Sequence, residues 1–141
     1  MNAEVFIDTN IVLYAVSGAP REAERAAAAR RILAEEDFGL STQVLSEFFV
    51  NATKKIATPL SDGEALEFVE LLCQAPVVAV DVDIVVQAVG FKTRYGVSYW
   101  DAAIIAAAHA LGATTLYTEA LNDGQLYGEC RAVNPFVRAA P

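Results

Sequence analysis

The chain is poor in several residues that particular protein classes need. It has two cysteines and one histidine, and it contains only ten Lys and Arg residues but eighteen Asp and Glu residues. Cys73 and Cys130 lack the spacing of a metal site, so we expect reduced, half-buried thiols, with a disulfide as the open alternative. The net charge of −8 argues against non-specific coating of nucleic acid. It remains compatible with carboxylates that are offset by bound cations, and with a basic partner.

Long apolar runs are also missing. No stretch approaches the length of a membrane span, and Met1-Asn2-Ala3-Glu4 lacks the basic segment of a secretory signal. We therefore expect a cytoplasmic protein that makes no membrane contact. The 141 residues are 55% hydrophobic, which suits one globular domain over residues 1–141.

Apolar strand-like runs alternate with helical patterns along the whole chain. Strands are predicted at residues 3–8, 38–40, 77–80, 114–117 and 131–133. Helices are predicted at residues 11–16, 21–35, 43–55, 61–74, 84–95 and 102–111. This alternation predicts an α/β fold, a three-layer α/β/α sandwich around a central parallel sheet of four to five strands.

The first strand ends in the sequence Asp8-Thr9-Asn10. In open α/β sheets, ligands sit beyond the carboxyl ends of the strands, so Asp8 is a candidate functional carboxylate. The alternative is that Asp8 or Thr9 only caps the next helix, since both are good N-cap residues.

Two more carboxylates follow in helical segments. Glu47 lies among core-forming apolar residues, where a carboxylate is costly unless it is paired or bound to a cation. Its alternative place is a polar helix face beside Asn51, four residues further along. Asp101 opens an almost wholly apolar helix three residues after Ser98, which fits a structural capping box as well as a functional site. We expect Trp100 to be a packing residue rather than a stacking platform, and His109 to have no catalytic role.

The fourth strand leads into a polar turn that again carries acids, Glu119 and Asp123. If all strands are parallel, Asp8, Glu47, Asp101 and this turn converge at one edge of the sheet. Several carboxylates cannot stay ionised together without compensation, which Mg²⁺ or Mn²⁺ provides. Thr9, Asn10 and Ser98 could hold water or a neighbouring carboxylate. Such a site suits metal-assisted phosphodiester hydrolysis.

These stretches together resemble PIN-domain ribonucleases, and VapC-like toxins of bacterial type II toxin–antitoxin pairs in particular. The resemblance rests on Asp8-Thr9-Asn10, Ser46-Glu47-Phe48, Ser98-Tyr99-Trp100-Asp101-Ala102 and Thr118-Glu119 with Asn122-Asp123-Gly124, in order over almost the whole chain. It implies Mg²⁺- or Mn²⁺-dependent RNA cleavage, with Asp8, Glu47 and Asp101 as the acidic metal-binding core. It also implies a homodimer, a cognate antitoxin that blocks the site, and an RNA substrate such as tRNA or rRNA.

The resemblance has one departure, at Ala120. The family often has Asp immediately after the Thr-Glu pair, so Asp123 is expected as the fourth catalytic and metal-binding carboxylate, with Glu119 or water as alternatives. The rival reading is a catalytically weakened PIN-fold module that serves dimerisation or binds antitoxin or RNA.

Two other fold families also place an acid after the first strand. A haloacid-dehalogenase-like phosphatase needs a second Asp where this chain has Asn10, and a phospho-receiver domain needs an acidic pair there. Eight basic residues are candidates for phosphate contact, and the sequence does not rank them: Arg21, Arg25, Arg30, Arg31, Lys54, Lys55, Lys92 and Arg94.

Overall fold

The structure is a computed structural model that describes residues 2–137. Its strands are β1 (Val5–Ile7), β2 (Phe38–Ser41), β3 (Val77–Val78), β4 (Thr115–Tyr117), β5 (Leu126–Tyr127) and β6 (Cys130–Val133). Its helices are α1 (Thr9–Ala15), α2 (Ala23–Glu35), α3 (Thr42–Ala52), α4 (Asp62–Leu72), α5 (Val82–Tyr95) and α6 (Tyr99–Leu111), with a 3-10 turn at Pro20–Glu22. The predicted single domain also includes Met1 and residues 138–141, which lie outside the described residues.

The sheet has the order β3-β2-β1-β4-β6-β5, and every neighbouring pair is parallel except β5 with β6. The chain moves outward from β1 to β2 and β3, and then crosses back to β4. Right-handed crossovers therefore place α1 to α4 on one face and α5 and α6 on the other. The packing of α1 on α2 and α3, and of α5 on α6, agrees with these three layers. The predicted α/β/α sandwich is confirmed.

The sheet has six strands. Five of them, β3, β2, β1, β4 and β6, are parallel and agree with the predicted parallel sheet of four to five strands, and β5 adds an antiparallel strand at the edge. The strand that the sequence analysis missed is β5, which pairs with β6 through a two-residue turn at Gly128 and Glu129. Gly128 has a φ of 64°, which only glycine adopts without strain. Two residues are too few for a period-two pattern to be recognised in a sequence.

Most helix ends agree with the capping residues rather than with the apolar pattern alone. Helix α1 begins at Thr9 because Asp8 caps it, and α6 begins at Tyr99 because Ser98 caps it. Both starts lie a few residues before the predicted ones. Ser61 and Glu64 form the predicted capping box of α4, and Gly96 ends α5 in the left-handed conformation.

Helix α6 is the most deeply buried of the described helices. Eight of its thirteen residues are buried, and five of these eight are alanines: Ala102, Ala103, Ala106, Ala107 and Ala108. The other three are Ile104, Ile105 and Leu111. The small side chains allow close approach to the sheet. At Gly39 in β2, an added Cβ would lie 2.6 Å from a methyl carbon of Leu111 and 2.9 Å from the backbone oxygen of Pro76, so this position requires glycine.

The structure also describes the two cysteines and the apolar character of the helices. Cys73 is exposed and Cys130 is buried, and both are free. Burial raises the pKa of the Cys130 thiol to about 11, which keeps it protonated at neutral pH. Among residues 2–137, none of the helices combines the length and the apolar character that crossing a membrane needs.

Candidate active site

The site begins where β1 and β4 end side by side. Ile7 lies opposite Tyr117 in the parallel register, so Asp8 and Thr118 leave the sheet as neighbours. The backbone N–H of Asp8 donates to the carbonyl oxygen of Tyr117 at 3.0 Å. The direction of the strand order reverses between β1 and β4, and such a switch point opens a crevice for ligands in α/β folds.

Asp8 is buried, with 7% of its surface exposed. Its Oδ1 accepts a hydrogen bond from the backbone N–H of Thr9 at 2.7 Å, which confirms the predicted helix cap. Its Oδ2 accepts from the hydroxyl of Thr118 at 2.8 Å. Capping therefore occupies only one of the two carboxylate oxygens, and it does not compete with a second role for the other.

Burial is the main cause that raises the pKa of Asp8, from 3.8 to about 6. The hydrogen bonds from Thr118 and Thr9 oppose this shift, whereas the negative charges of Glu47 and Asp101 add to it. The fold thus places Glu47 and Asp101 within electrostatic reach of Asp8 and withdraws Asp8 from water.

Glu47 lies half-buried on α3 and faces α1. Its Oε1 accepts from the hydroxyl of Thr9 at 3.2 Å and from the side-chain amide of Gln43 at 3.1 Å. The alternative pairing of Glu47 with Asn51 is not observed. The helical neighbour that donates to Glu47 is Gln43, four residues before it. The same Gln43 amide donates to the backbone oxygen of Trp100 at 3.2 Å, which joins α3 to the start of α6.

Asp101 lies half-buried in the first turn of α6. Its backbone N–H donates to the hydroxyl of Ser98 at 3.1 Å, which confirms the predicted cap. Trp100 does not have the packing role predicted for it, because it is 64% exposed and its ring meets Tyr99 edge-on at 5.0 Å.

The acids of the turn after β4 have other partners. Asp123 is exposed, and its Oδ1 accepts from the backbone N–H of Asn134 at 2.8 Å. Glu119 is also exposed and accepts from the hydroxyl of Tyr14 at 2.9 Å. Neither is among the groups that shift the pKa of Asp8. Asp123 as a fourth ligand, with Glu119 as its substitute, therefore stays a prediction.

Asn10 differs from its neighbours because its side-chain oxygen is buried and has no hydrogen-bond partner within the described part of the chain. It lines a cavity of about 400 Å³ together with Glu119, Arg21 and Lys55. Arg21 and Lys55 are thus basic candidates that share a cavity with predicted site residues. Arg30, by contrast, donates to backbone oxygens of Ala15 and Ser17.

Sequence reasoning missed two residues of this arrangement. Thr118 follows an apolar strand and precedes an acid, but its contact with Asp8 depends on β1 and β4 being neighbours, which the sequence does not reveal. Gln43 had a usable signal, its spacing of four residues from Glu47 on a predicted helix.

The donor set fits a hard divalent cation. Carboxylate oxygens are the ligands that such ions prefer, and a cation would offset the burial and mutual repulsion that raise the pKa of Asp8. Across residues 2–137, no group of three or more His, Cys, Asp and Glu side chains is arranged so that it could hold a metal ion. Glu47 and Asp101 are near enough to Asp8 to affect its pKa, so a bound cation would have to draw these side chains together.

Comparisons with known proteins address the family and the fold. The model of the PIN domain family matches residues 5–120. None of the curated proteins compared with the chain matches it.

Solved structures share the fold. A toxin–antitoxin complex from Klebsiella pneumoniae is 22% identical with a TM-score of 0.69, and the match covers 94% of this chain and 98% of that one. VapC20 from Mycobacterium tuberculosis, a sarcin-ricin loop cleaving toxin, is 22% identical with a TM-score of 0.66, over 90% and 98% of the two chains. VapBC2 from Rickettsia felis, bound to a promoter DNA fragment, is 16% identical with a TM-score of 0.63, over 91% and 96%. The family match and the shared fold confirm the resemblance that the motifs indicated, and this chain belongs to the PIN domain family.

Proposed function

We propose that the chain is a divalent-metal-dependent endoribonuclease that acts as the toxin of a bacterial toxin–antitoxin pair. The observation that carries the proposal is the environment of Asp8. It is buried, and the charged side chains that raise its pKa are both carboxylates, Glu47 and Asp101. An arrangement of this kind destabilises the fold, and a bound cation turns it into a binding site.

In this proposal Asp8, Glu47 and Asp101 hold the cation. Asp123 is the fourth candidate ligand, a role that it takes only if it leaves its observed hydrogen bond with the backbone of Asn134. The bound ion would supply charge neutralisation at the phosphate and a more acidic water. The protein's own contribution is orientation. Thr118 fixes one oxygen of Asp8, and Thr9 and Gln43 together fix one oxygen of Glu47. Asn10 and Ser98 are proposed to hold water or to support the carboxylates.

The ion is proposed to be Mg²⁺ or Mn²⁺, because both take oxygen ligands. RNA is the proposed substrate, and the similarity to VapC20, a sarcin-ricin loop cleaving toxin, keeps rRNA beside tRNA among the candidates. The site's Arg21 and Lys55 offer cations for the RNA backbone. A cytoplasmic location follows from such a substrate.

A cognate antitoxin is the proposed protein partner, since solved structures of the same fold include toxin–antitoxin complexes. The net charge of −8 suits a basic antitoxin segment.

A homodimer is proposed on different grounds. Helix α5 exposes a stripe of valines at helical spacing, formed by Val82, Val85, Val86 and Val89. Val86→Glu should then shift the chain from dimer to monomer in sedimentation experiments. Val50→Glu, at a comparably exposed position on α3, is the matched control and should leave the dimer intact.

The experiment that tests the nuclease is cleavage of total bacterial RNA by the purified, antitoxin-free chain with Mg²⁺, with Mn²⁺ and with EDTA. An Asp8→Asn preparation runs in parallel to exclude a contaminating nuclease. We expect cutting that needs metal and is lost in the variant. Equal cutting by both preparations would contradict the proposal. Absence of cutting by a folded chain with either metal would favour the binding module, with Ala120→Asp as the first change to restore activity.

A further inference from the structure

A second cavity adjoins the acids on the side of α6. It measures about 420 Å³, within the range of about 300–1,000 Å³ that is typical of small-molecule sites. Residues from α3, from the segment after β3 and from the first turn of α6 line it, among them Gln43, Ser46, Glu47, Val80, Tyr99 and Trp100. We infer that this cavity binds an unpaired base of the RNA, stacked on Trp100, next to the phosphodiester that is cut. The inference rests on the proposed function.

The aromatic wall supports this choice of occupant. Trp100 is the single tryptophan of the chain, and it is 64% exposed beside Tyr99. Tryptophan and tyrosine are enriched at binding interfaces, because each offers a large apolar ring together with a polar group. Every base offers a flat π-face, so a ring that is accessible in this way can stack on unpaired RNA without a sequence requirement.

The polar wall distinguishes a base from a phosphate. None of the described residues that line the cavity is Lys or Arg, and Glu47 contributes a carboxylate that repels an anion. Ser46 already donates to the backbone oxygen of Thr42 at 2.9 Å. A neutral, flat group with hydrogen-bond donors therefore fits this wall better than a phosphate group does.

Continuity with the acids places this base beside the reacting phosphate. Glu47 lines the cavity and also accepts the hydroxyl of Thr9, the residue that follows Asp8. Gln43 joins Glu47 to the backbone of Trp100 through one amide group. A base in the cavity would thus orient its own nucleotide relative to the acids, which is the structural basis for a preference for unpaired RNA.

The test uses Trp100 as its own reporter, with the full chain in EDTA so that no RNA is cut. Three short probes of equal length are added in turn: a single-stranded oligoribonucleotide, the same ribose-phosphate chain without bases, and a perfect duplex. We expect the single strand to quench the tryptophan emission, and the abasic chain and the duplex to have little effect. Equal quenching by the abasic chain would overturn the inference.

Cleavage kinetics with metal provide the second readout. Trp100→Ala should raise the KM for single-stranded RNA by about five- to 100-fold with kcat nearly unchanged, and Trp100→Phe should restore most of the affinity. Leu126→Ala is the matched control, since Leu126 is 48% exposed but lies on β5 at the opposite edge of the sheet.

The two proposals fail in distinguishable ways. Cleavage with an unchanged KM in Trp100→Ala would overturn the base site alone. Quenching that depends on bases, in a chain that cuts nothing with metal, would support the site and contradict the nuclease. If Trp100 is already shielded at high protein concentration without RNA, a second copy covers the cavity and the inference is wrong.

Discussion

Strands β1 and β4 are neighbours that end at the same edge of the sheet, yet the acids that follow them have different environments. After β1, Asp8 is buried and its pKa rises to about 6, with Glu47 and Asp101 contributing to the rise. After β4, Glu119 and Asp123 are exposed, and each accepts a hydrogen bond from a tyrosine hydroxyl or a backbone N–H.

The difference teaches that position at the strand ends does not by itself define the site. A carboxylate that is exposed and bonded to a neutral donor stabilises a loop at little cost, whereas a buried one near other acids costs stability unless a cation binds. The buried environment near other acids is the one that a metal site needs. The turn after β4 contributes to it mainly through the hydroxyl of Thr118.

The largest contrast is expected in catalysis by carboxylate-to-amide variants. Asp101→Asn and Glu47→Gln each should lower RNA cleavage by at least about 100-fold, because each removes a charge that the proposed cation needs. Rates under saturating Mn²⁺ check this expectation. If either variant cuts at the wild-type rate while remaining folded, that residue does not belong to the site.

The next largest effect is expected on the stability of the fold, because the buried position of Asp8 that suits metal binding also costs folding free energy. Because the folded state holds the proton on Asp8 more tightly than the unfolded chain does, protonation stabilises the fold below pH 3.8, and this stabilisation is lost as the pH rises through about 6. From the size of the pKa shift, the wild type should lose about 3 kcal/mol of unfolding free energy as the pH rises. The Asp8→Asn variant, which keeps a good helix cap, should not show this pH-dependent loss.

Urea unfolding of the metal-free chain from pH 4 to pH 8 measures this difference. The wild type should lose stability relative to Asp8→Asn over that range. Parallel pH profiles for the two proteins would contradict the account of Asp8.

Thr118 links the two regions, so changing it should give an intermediate effect. Thr118→Val removes the hydroxyl that donates to Asp8 and accepts from the backbone N–H of Ala120. We expect Mn²⁺ affinity to fall by about 10- to 100-fold, as for other residues that orient a metal ligand. Thr118→Ser should restore it. Calorimetric titration with Mn²⁺ compares the three proteins, and equal affinities would leave Thr118 with a role in packing only.

The smallest effects are expected for the exposed acids. Asp123→Asn and Glu119→Gln should each change Mn²⁺ affinity and cleavage by no more than about threefold, if the two residues keep to their observed hydrogen bonds. A loss as large as that of Asp101→Asn would show that Asp123 or Glu119 moves to fill the place of the family Asp that is Ala120 here.

The sequence predicted most of the elements because these depend on local signals, such as the apolar periods that indicate α3 and α6. The structure brings Glu47 and Asp101 near Asp8, and the roles of the three acids stay a prediction. The contact of Thr118 with Asp8 depends on strand order, and the exposure of Trp100 depends on how α6 meets α3. Neither is encoded by spacing along the chain. The strand β5 was missed for a simpler reason, since two residues give no pattern.

The central claim is that the fold keeps Asp8 buried among acids in order to bind a cation. Thermal unfolding at pH 7 with and without Mn²⁺ tests it without any assay of activity. Without metal, Asp8→Asn should be more stable than the wild type, and added Mn²⁺ should raise the Tm of the wild type much more than that of the variant. An equal response of the two proteins to Mn²⁺ would contradict the claim.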